Sequence, residues 1–249
     1  WRSRGRALGL PLRPMRFDTV AIVDWSSASA RSPARQSRDA IWLGITTADG
    51  TTSHYLRSRA EAETALAALI ADHAKAGRSL MIGFDFPMGY PVGFAQRLTG
   101  TASARAVWRW LAGEITDDAQ NRNNRFAVAA EINRRFGGSG PFWGRPEALK
   151  LPDLPPRKTV DYAALGLPER RAVEGVVRRA QPVWKCFTTG SVGGQSLTGL
   201  PVIYRLSQLP QVSVWPFETT LTPVVLAEVY PSLLDPAIRN RPVTAIKDD

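Results

Sequence analysis

Thr19-Val20-Ala21-Ile22-Val23-Asp24 and Leu80-Met81-Ile82-Gly83-Phe84-Asp85 are the two stretches that decide the fold. Each is a short apolar run bounded by polar residues, the pattern of a strand buried on both faces. Each ends on an aspartate. A buried strand fixes its backbone, so a carboxylate at its end is presented at the edge of the sheet. A third run, Val224-Val225-Leu226-Ala227-Glu228-Val229, carries a glutamate near its end, and Tyr230-Pro231 stops it because proline cannot donate to a ladder.

Working outward from these runs, Ala40-Ile41-Trp42-Leu43-Gly44-Ile45 reads as a second strand. The turn signal Asp49-Gly50 joins it to an alternating third strand over residues 51–56. Ser58 and Glu61 form a capping-box pattern ahead of a helix. Its apolar face is Ala62, Ala65, Leu66, Leu69, Ile70 and His73, and Gly77 is its stop. The order is strand, strand, strand, helix, strand. Residues 87–185 are richer in proline, with helical patterns at 102–112, 123–136 and 169–180 and loops at 137–144 and 151–156. Val212-Ser213-Val214-Trp215 is a further strand. The expectation is an α/β fold. A mixed five-stranded sheet, antiparallel at its start and parallel later, is flanked by helices and carries a long helical and loop insertion over about 90–210. A single domain is expected over 15–249. Residues 1–14 hold four arginines and no acid, and are expected to be a tail or remnant outside it.

The chain has 249 residues, enough for a sizeable core, and a formal net charge of +10. Between Arg97 and Lys185 there are 16 lysines and arginines against 9 acids. A basic balance favours polyanions, and nucleic acid is the expected partner. The one cysteine, Cys186, excludes an internal disulfide and a cysteine-based zinc site. It suits a reducing compartment, so a cytoplasmic location is expected. No apolar run reaches the roughly 18 residues of a membrane helix, so no membrane is expected.

If the strands ending at Asp24, Asp85 and Glu228 are neighbours, three carboxylates converge. Their repulsion calls for hard cations, and Mg²⁺ or Mn²⁺ takes such oxygen ligands. The expectation is a metal-dependent site for phosphodiester hydrolysis on DNA or RNA, with Asp24, Asp85 and Glu228 as catalytic and metal-ligating residues. Two alternatives stay open: a nucleic-acid-binding protein without catalysis, and an enzyme on a small phosphorylated or nucleotide substrate. Taken singly, each acid also has an ordinary structural reading as a turn cap, a loop anchor or an arginine partner.

Val23-Asp24-Trp25-Ser26, Gly83-Phe84-Asp85-Phe86-Pro87-Met88-Gly89, Gly190-Ser191-Val192-Gly193, Trp215-Pro216-Phe217-Glu218 and Ala227-Glu228-Val229-Tyr230-Pro231 together resemble domain-of-unknown-function family 429. The likeness covers about residues 19–249. It implies a ribonuclease H-like fold and nuclease activity, with acids on the first, fourth and fifth core strands, here Asp24, Asp85 and Glu228. It also implies a final acid near a C-terminal helix, for which Asp248 and Asp249 stand in place.

Other stretches suggest how a substrate is held. The glycine-rich run 190–199 reads as a loop whose amides contact phosphates, with Lys185 just ahead of it. It lacks the Gly-Lys-Ser/Thr ending of a P-loop. Asn121-Arg122-Asn123-Asn124-Arg125 is a polar cluster, and Phe142-Trp143-Gly144-Arg145 sets an arginine beside aromatic rings. The expected substrate contacts are Arg125, Arg145, Lys185, Ser191 and Gly193. Glu218 is a lesser candidate ligand, and His54, His73 and Cys186 read as structural.

Overall fold

A computed structural model of the chain describes residues 17–234 apart from Arg178. The N-terminal tail expected over 1–14 and the candidate ligands Asp248 and Asp249 lie outside these residues.

The aliphatic runs form the strands they predict. β1 (Thr19–Asp24), β2 (Ile41–Thr47) and β3 (Gly50–Leu56) are antiparallel neighbours. Helix α1 (Arg59–Ala76) then returns the chain to β4 (Leu80–Phe84), parallel to β1. β5 (Val212–Trp215) and β6 (Val224–Glu228) complete the sheet, in the order β3-β2-β1-β4-β6-β5. The sheet therefore has six strands where five are expected. The additional one is β5, which lies outside β6 as a parallel edge. It is short, but Val212 and Val214 are buried against the sheet's neighbours.

α1 starts as its sequence indicates. The Ser58 hydroxyl accepts from the Glu61 amide, and Gly77 caps the other end at φ 63°. The Glu61 carboxylate returns to the Arg57 amide rather than to that of Ser58. Ala62, Leu66 and Ile70 are buried, while His73 spans from the Leu69 carbonyl to the Thr19 hydroxyl. His73 is thus a satisfied core residue.

Between β4 and β5 run α2 (Phe94–Thr99), α3 (Ala104–Glu114), α4 (Arg125–Arg135), α5 (Tyr162–Leu165), α6 (Ala172–Val176) and α7 (Val192–Leu206). An aromatic cluster of Tyr90, Phe94, Phe136, Phe142 and Trp184 binds this segment together. Two expectations are corrected here. The helix over 169–180 shrinks to the five residues of α6, because the backbone is extended at Arg171 (ψ 159°) before it and at Val177 (ψ 91°) after it. The glycine-rich run is a helix from Val192 onward, not a loop. Its glycines permit close packing: a Cβ at Gly193 would stand 2.3 Å from the Val183 carbonyl oxygen, and one at Gly199 would stand 2.3 Å from the Phe86 ring. Burial of this helix outweighs the low helix propensity of glycine. Among the described residues no helix is long and apolar enough to cross a membrane.

Candidate functional site

The sheet order makes β1, β4 and β6 neighbours, so the strands carrying the three acids stand side by side. Their register separates the acids, however. Val23 pairs with Phe84, and Phe84 with Glu228. Asp24 and Asp85 stand one residue beyond that row, while Glu228 stands in it. Successive side chains leave opposite faces of a strand, so the pleat divides Asp24 from Glu228.

Asp24 and Asp85 line one open cleft of about 680 Å³ at the carboxyl ends of β1 and β4. Its other walls are the loop Ser26-Ser27-Ala28, the turn from Arg38 to Ala40, and the loop Thr188-Thr189-Gly190-Ser191 leading into α7. Among the described residues, three aspartates and one arginine line the cleft: Asp24, Asp39, Asp85 and Arg38.

The loop after β1 is held from every side. The Trp25 amide donates to the Asp85 carboxylate at 2.9 Å. The Trp25 carbonyl accepts from the Gln195 side chain, and its indole N–H donates to the Thr198 hydroxyl at 3.2 Å. Arg59, only 2% exposed, donates to the carbonyls of Ser26 and Ala28, both at 2.9 Å. The rest of its guanidinium is paired with Asp117 and the Asn121 carbonyl. Arg59 and Gln195 are the site-building residues that sequence reasoning passed over. Arg59 sits in the first turn of a helix, where an arginine is ordinarily a solvated side chain, and nothing local marks its distant partners.

Glu228 has a different environment. Its Oε1 accepts from Arg171 Nη2 at 2.6 Å and from the Tyr230 hydroxyl. Its Oε2 accepts from Arg171 Nη1 at 2.7 Å and from the Met88 amide at 3.0 Å. Arg171 also donates from Nε to Glu174 at 2.7 Å. The side chains of Arg171, Glu174 and Glu228 are 10%, 0% and 11% exposed. Burial works to lower the Arg171 pKa, but the bonds to Glu228 and Glu174 prevail and raise it. Burial, reinforced by Glu228, raises the Tyr230 hydroxyl, which stays a donor. A smaller pocket of about 160 Å³ adjoins this cluster and also touches Asp85.

The expected substrate contacts divide sharply. Ser191 lines the cleft. Lys185 supports it from behind, its ammonium donating to the Thr189 carbonyl at 2.6 Å. Gly193 is buried against the Val183 and Lys185 carbonyls and offers no ligand surface, because its role is close packing. Arg145 staples a loop, donating to the carbonyls of Leu154, Pro146 and Glu147. Arg125 is 5% exposed and donates to Ser29 and Asn123. Burial pulls its pKa down to about 10, and its Nε has no partner among the described residues. Arg125 thus lies under the cleft loops rather than on the surface. Glu218 clasps the end of β5 by accepting from Arg105 and from the Val214 amide. The other acids at the start of α1 are also engaged, Glu61 with Arg31 and Glu63 with Arg205.

Among the described residues no group of three or more His, Cys, Asp or Glu side chains is disposed to hold a metal ion. The pair Asp24 and Asp85 nonetheless fits Mg²⁺ chemistry. That ion dehydrates reluctantly and is commonly bound through one or two carboxylates, with water and substrate phosphate oxygens completing its shell. Compared with known protein families, curated proteins and solved structures, the chain matches none.

Proposed function

We propose that the chain is a divalent-metal-dependent phosphodiester hydrolase acting on nucleic acid, built on a ribonuclease H-like sheet. The observation that carries this reading is geometric: Asp24 and Asp85, at the carboxyl ends of neighbouring strands, line one open cleft in a strongly basic chain. A basic chain favours polyanions, and two carboxylates on one sheet edge are the oxygen ligands that a hard divalent cation takes. The sheet order is consistent with that fold: three antiparallel strands are followed by parallel β4 and β6, and the three acids stand at the ends of β1, β4 and β6.

Asp24 and Asp85 would hold Mg²⁺ or Mn²⁺, which when bound supplies Lewis-acid polarisation of a phosphoryl oxygen and acidifies water. The chain's own residues do the rest. Arg38 meets a phosphate at the cleft rim, and Ser27 and Ser191 offer hydroxyls to its oxygens. The bond from the Trp25 amide orients the Asp85 carboxylate. Arg59, Gln195 and Thr198 keep the wall rigid, so the ligand geometry is set before substrate arrives.

The test is to incubate purified protein with structured and single-stranded DNA and RNA in Mg²⁺ or Mn²⁺. Metal-dependent cleavage is expected, falling at least about 100-fold in Asp24→Asn and in Asp85→Asn. No cleavage of any substrate, or full activity in Asp24→Asn, would sink the reading.

A further inference from the structure

The geometry points to Arg171 as a built-in cation beside this site: it occupies Glu228 and keeps that carboxylate from taking a metal ion, so an ion bound at the strand ends is held without Glu228. This rests on the hydrolase reading for that ion, but the assignment of Glu228 stands on its own contacts. An ionised carboxylate has about four lone-pair sites. At Glu228 four donors are in place: both Arg171 Nη atoms, the Tyr230 hydroxyl and the Met88 amide. No acceptor capacity is left for a metal. The fork-to-fork geometry is the strong form of this pairing, and it is nearly desolvated.

Arg171 is itself fixed from the other side. Its Nε and its backbone amide both donate to Glu174, whose side chain is fully buried. Two buried carboxylates therefore share one guanidinium, and expelling Arg171 would leave both uncompensated at once. The Met88 amide ties this cluster to Phe86-Pro87-Met88, the chain directly after Asp85. Arg171 is thus a positioning residue. It holds Glu228 at the carboxyl end of β6, beside the chain that follows Asp85, and supplies there the positive charge that a metal ion would otherwise bring to that carboxylate.

Two measurements on the full chain test this. The first is Mn²⁺ titration by calorimetry and electron paramagnetic resonance. Unchanged stoichiometry and affinity within about twofold are expected in Glu228→Gln, and loss of the ion in Asp85→Asn. Loss of the ion in Glu228→Gln would overturn the assignment. The conservative Arg171→Lys is expected to keep the stoichiometry of the unaltered chain. Arg171→Gln, if it folds, is expected to gain an ion at the exposed Glu174 and Glu228 pair, and a folded Arg171→Gln that gains none counts against the proposal.

The second measurement is thermal unfolding of the unaltered chain and Glu228→Gln, with and without 10 mM Mg²⁺. Glu228→Gln is expected to lower Tm by about 5 °C, equally in both conditions, because the ion pair persists when metal is present. A difference that vanishes in Mg²⁺ would mean that metal replaces Arg171. This arm reads the pair even if the chain binds no Mn²⁺, an outcome that would overturn the hydrolase reading alone.

Discussion

Arg59→Met is the most informative single perturbation of the cleft wall. The substitution keeps an unbranched apolar stem but removes the guanidinium. That group neutralises Asp117 and donates to the carbonyls of Ser26, Ala28 and Asn121. Breaking a buried ion pair from one side costs about 3–5 kcal/mol. The Asp117 side chain keeps some contact with water, 19% exposed, which favours the low end of that range. Each carbonyl left without its donor adds about 1 kcal/mol, less where water can enter. The sum is not additive, and about 4 kcal/mol is expected. At roughly 2–4 °C per kcal/mol for a chain of this size, Tm falls by about 12 °C. Urea unfolding followed by tryptophan fluorescence measures the free energy. Amide exchange should quicken across residues 26–30, since the Ser26 and Ala28 carbonyls have lost their anchor. Adding Asp117→Asn should recover about 2 kcal/mol, since the uncompensated carboxylate is then gone. A loss below about 1 kcal/mol in Arg59→Met, with unchanged exchange in the loop, would refute the view that this residue holds the wall.

Two other outcomes are expected. Gly199→Ala, whose Cβ would meet the Phe86 ring at 2.3 Å, should cost about 1–3 kcal/mol, whereas Gly193→Ala would press on a backbone carbonyl that cannot turn away and should abolish soluble expression. Comparing the yields of the two proteins and the urea midpoint of the first checks both. Burial pushes the Cys186 thiol up to about 12 from its ordinary 9.0. In the unfolded chain the thiol loses its proton above about 9, while in the folded chain it keeps it. The stability tied to this group is therefore complete below pH 9 and is lost as pH rises from about 9 toward 12. Cys186→Ala should flatten that part of the alkaline stability profile, and in the unaltered protein a thiol reagent at pH 8 should react only on unfolding.

The sheet was legible because its evidence is local. Aliphatic runs at 19–23, 80–84 and 224–227 need no distant partner to declare themselves as strands, and an aspartate at a strand end is visible one residue later. What could not be read lies in contacts across the chain. Glu228 looks in sequence like Asp24 and Asp85, but its meaning depends on Arg171, which lies far away in a stretch whose pattern suggests a longer helix than α6. Arg125 and Arg145 read as phosphate contacts from their charge and aromatic neighbours. They turned out to be consumed by loop hydroxyls and carbonyls. Glycines 193, 194 and 199 counted as loop signals, whereas the structure uses their missing side chains to let a helix lie against backbone and ring. Propensity describes a residue on its own, and burial of a whole helix outweighs it.

The strand order also has a consequence for synthesis. β4 is complete at Phe84, but its second neighbour, β6, starts only at Val224, and β5, which is made in between, pairs with β6 alone. At about 5–20 residues per second, a nascent chain carries β4 with one edge unpaired for on the order of ten seconds. An apolar strand edge of that kind is a template for wrong pairing. The aromatic-rich segment from Tyr90 to Trp184 emerges during that interval, so whatever early collapse it undergoes bears on whether the growing chain escapes aggregation. The cleft itself, whose walls come from Ser26 at one end of the chain and Ser191 far along it, has no existence on the ribosome until most of the protein has been made.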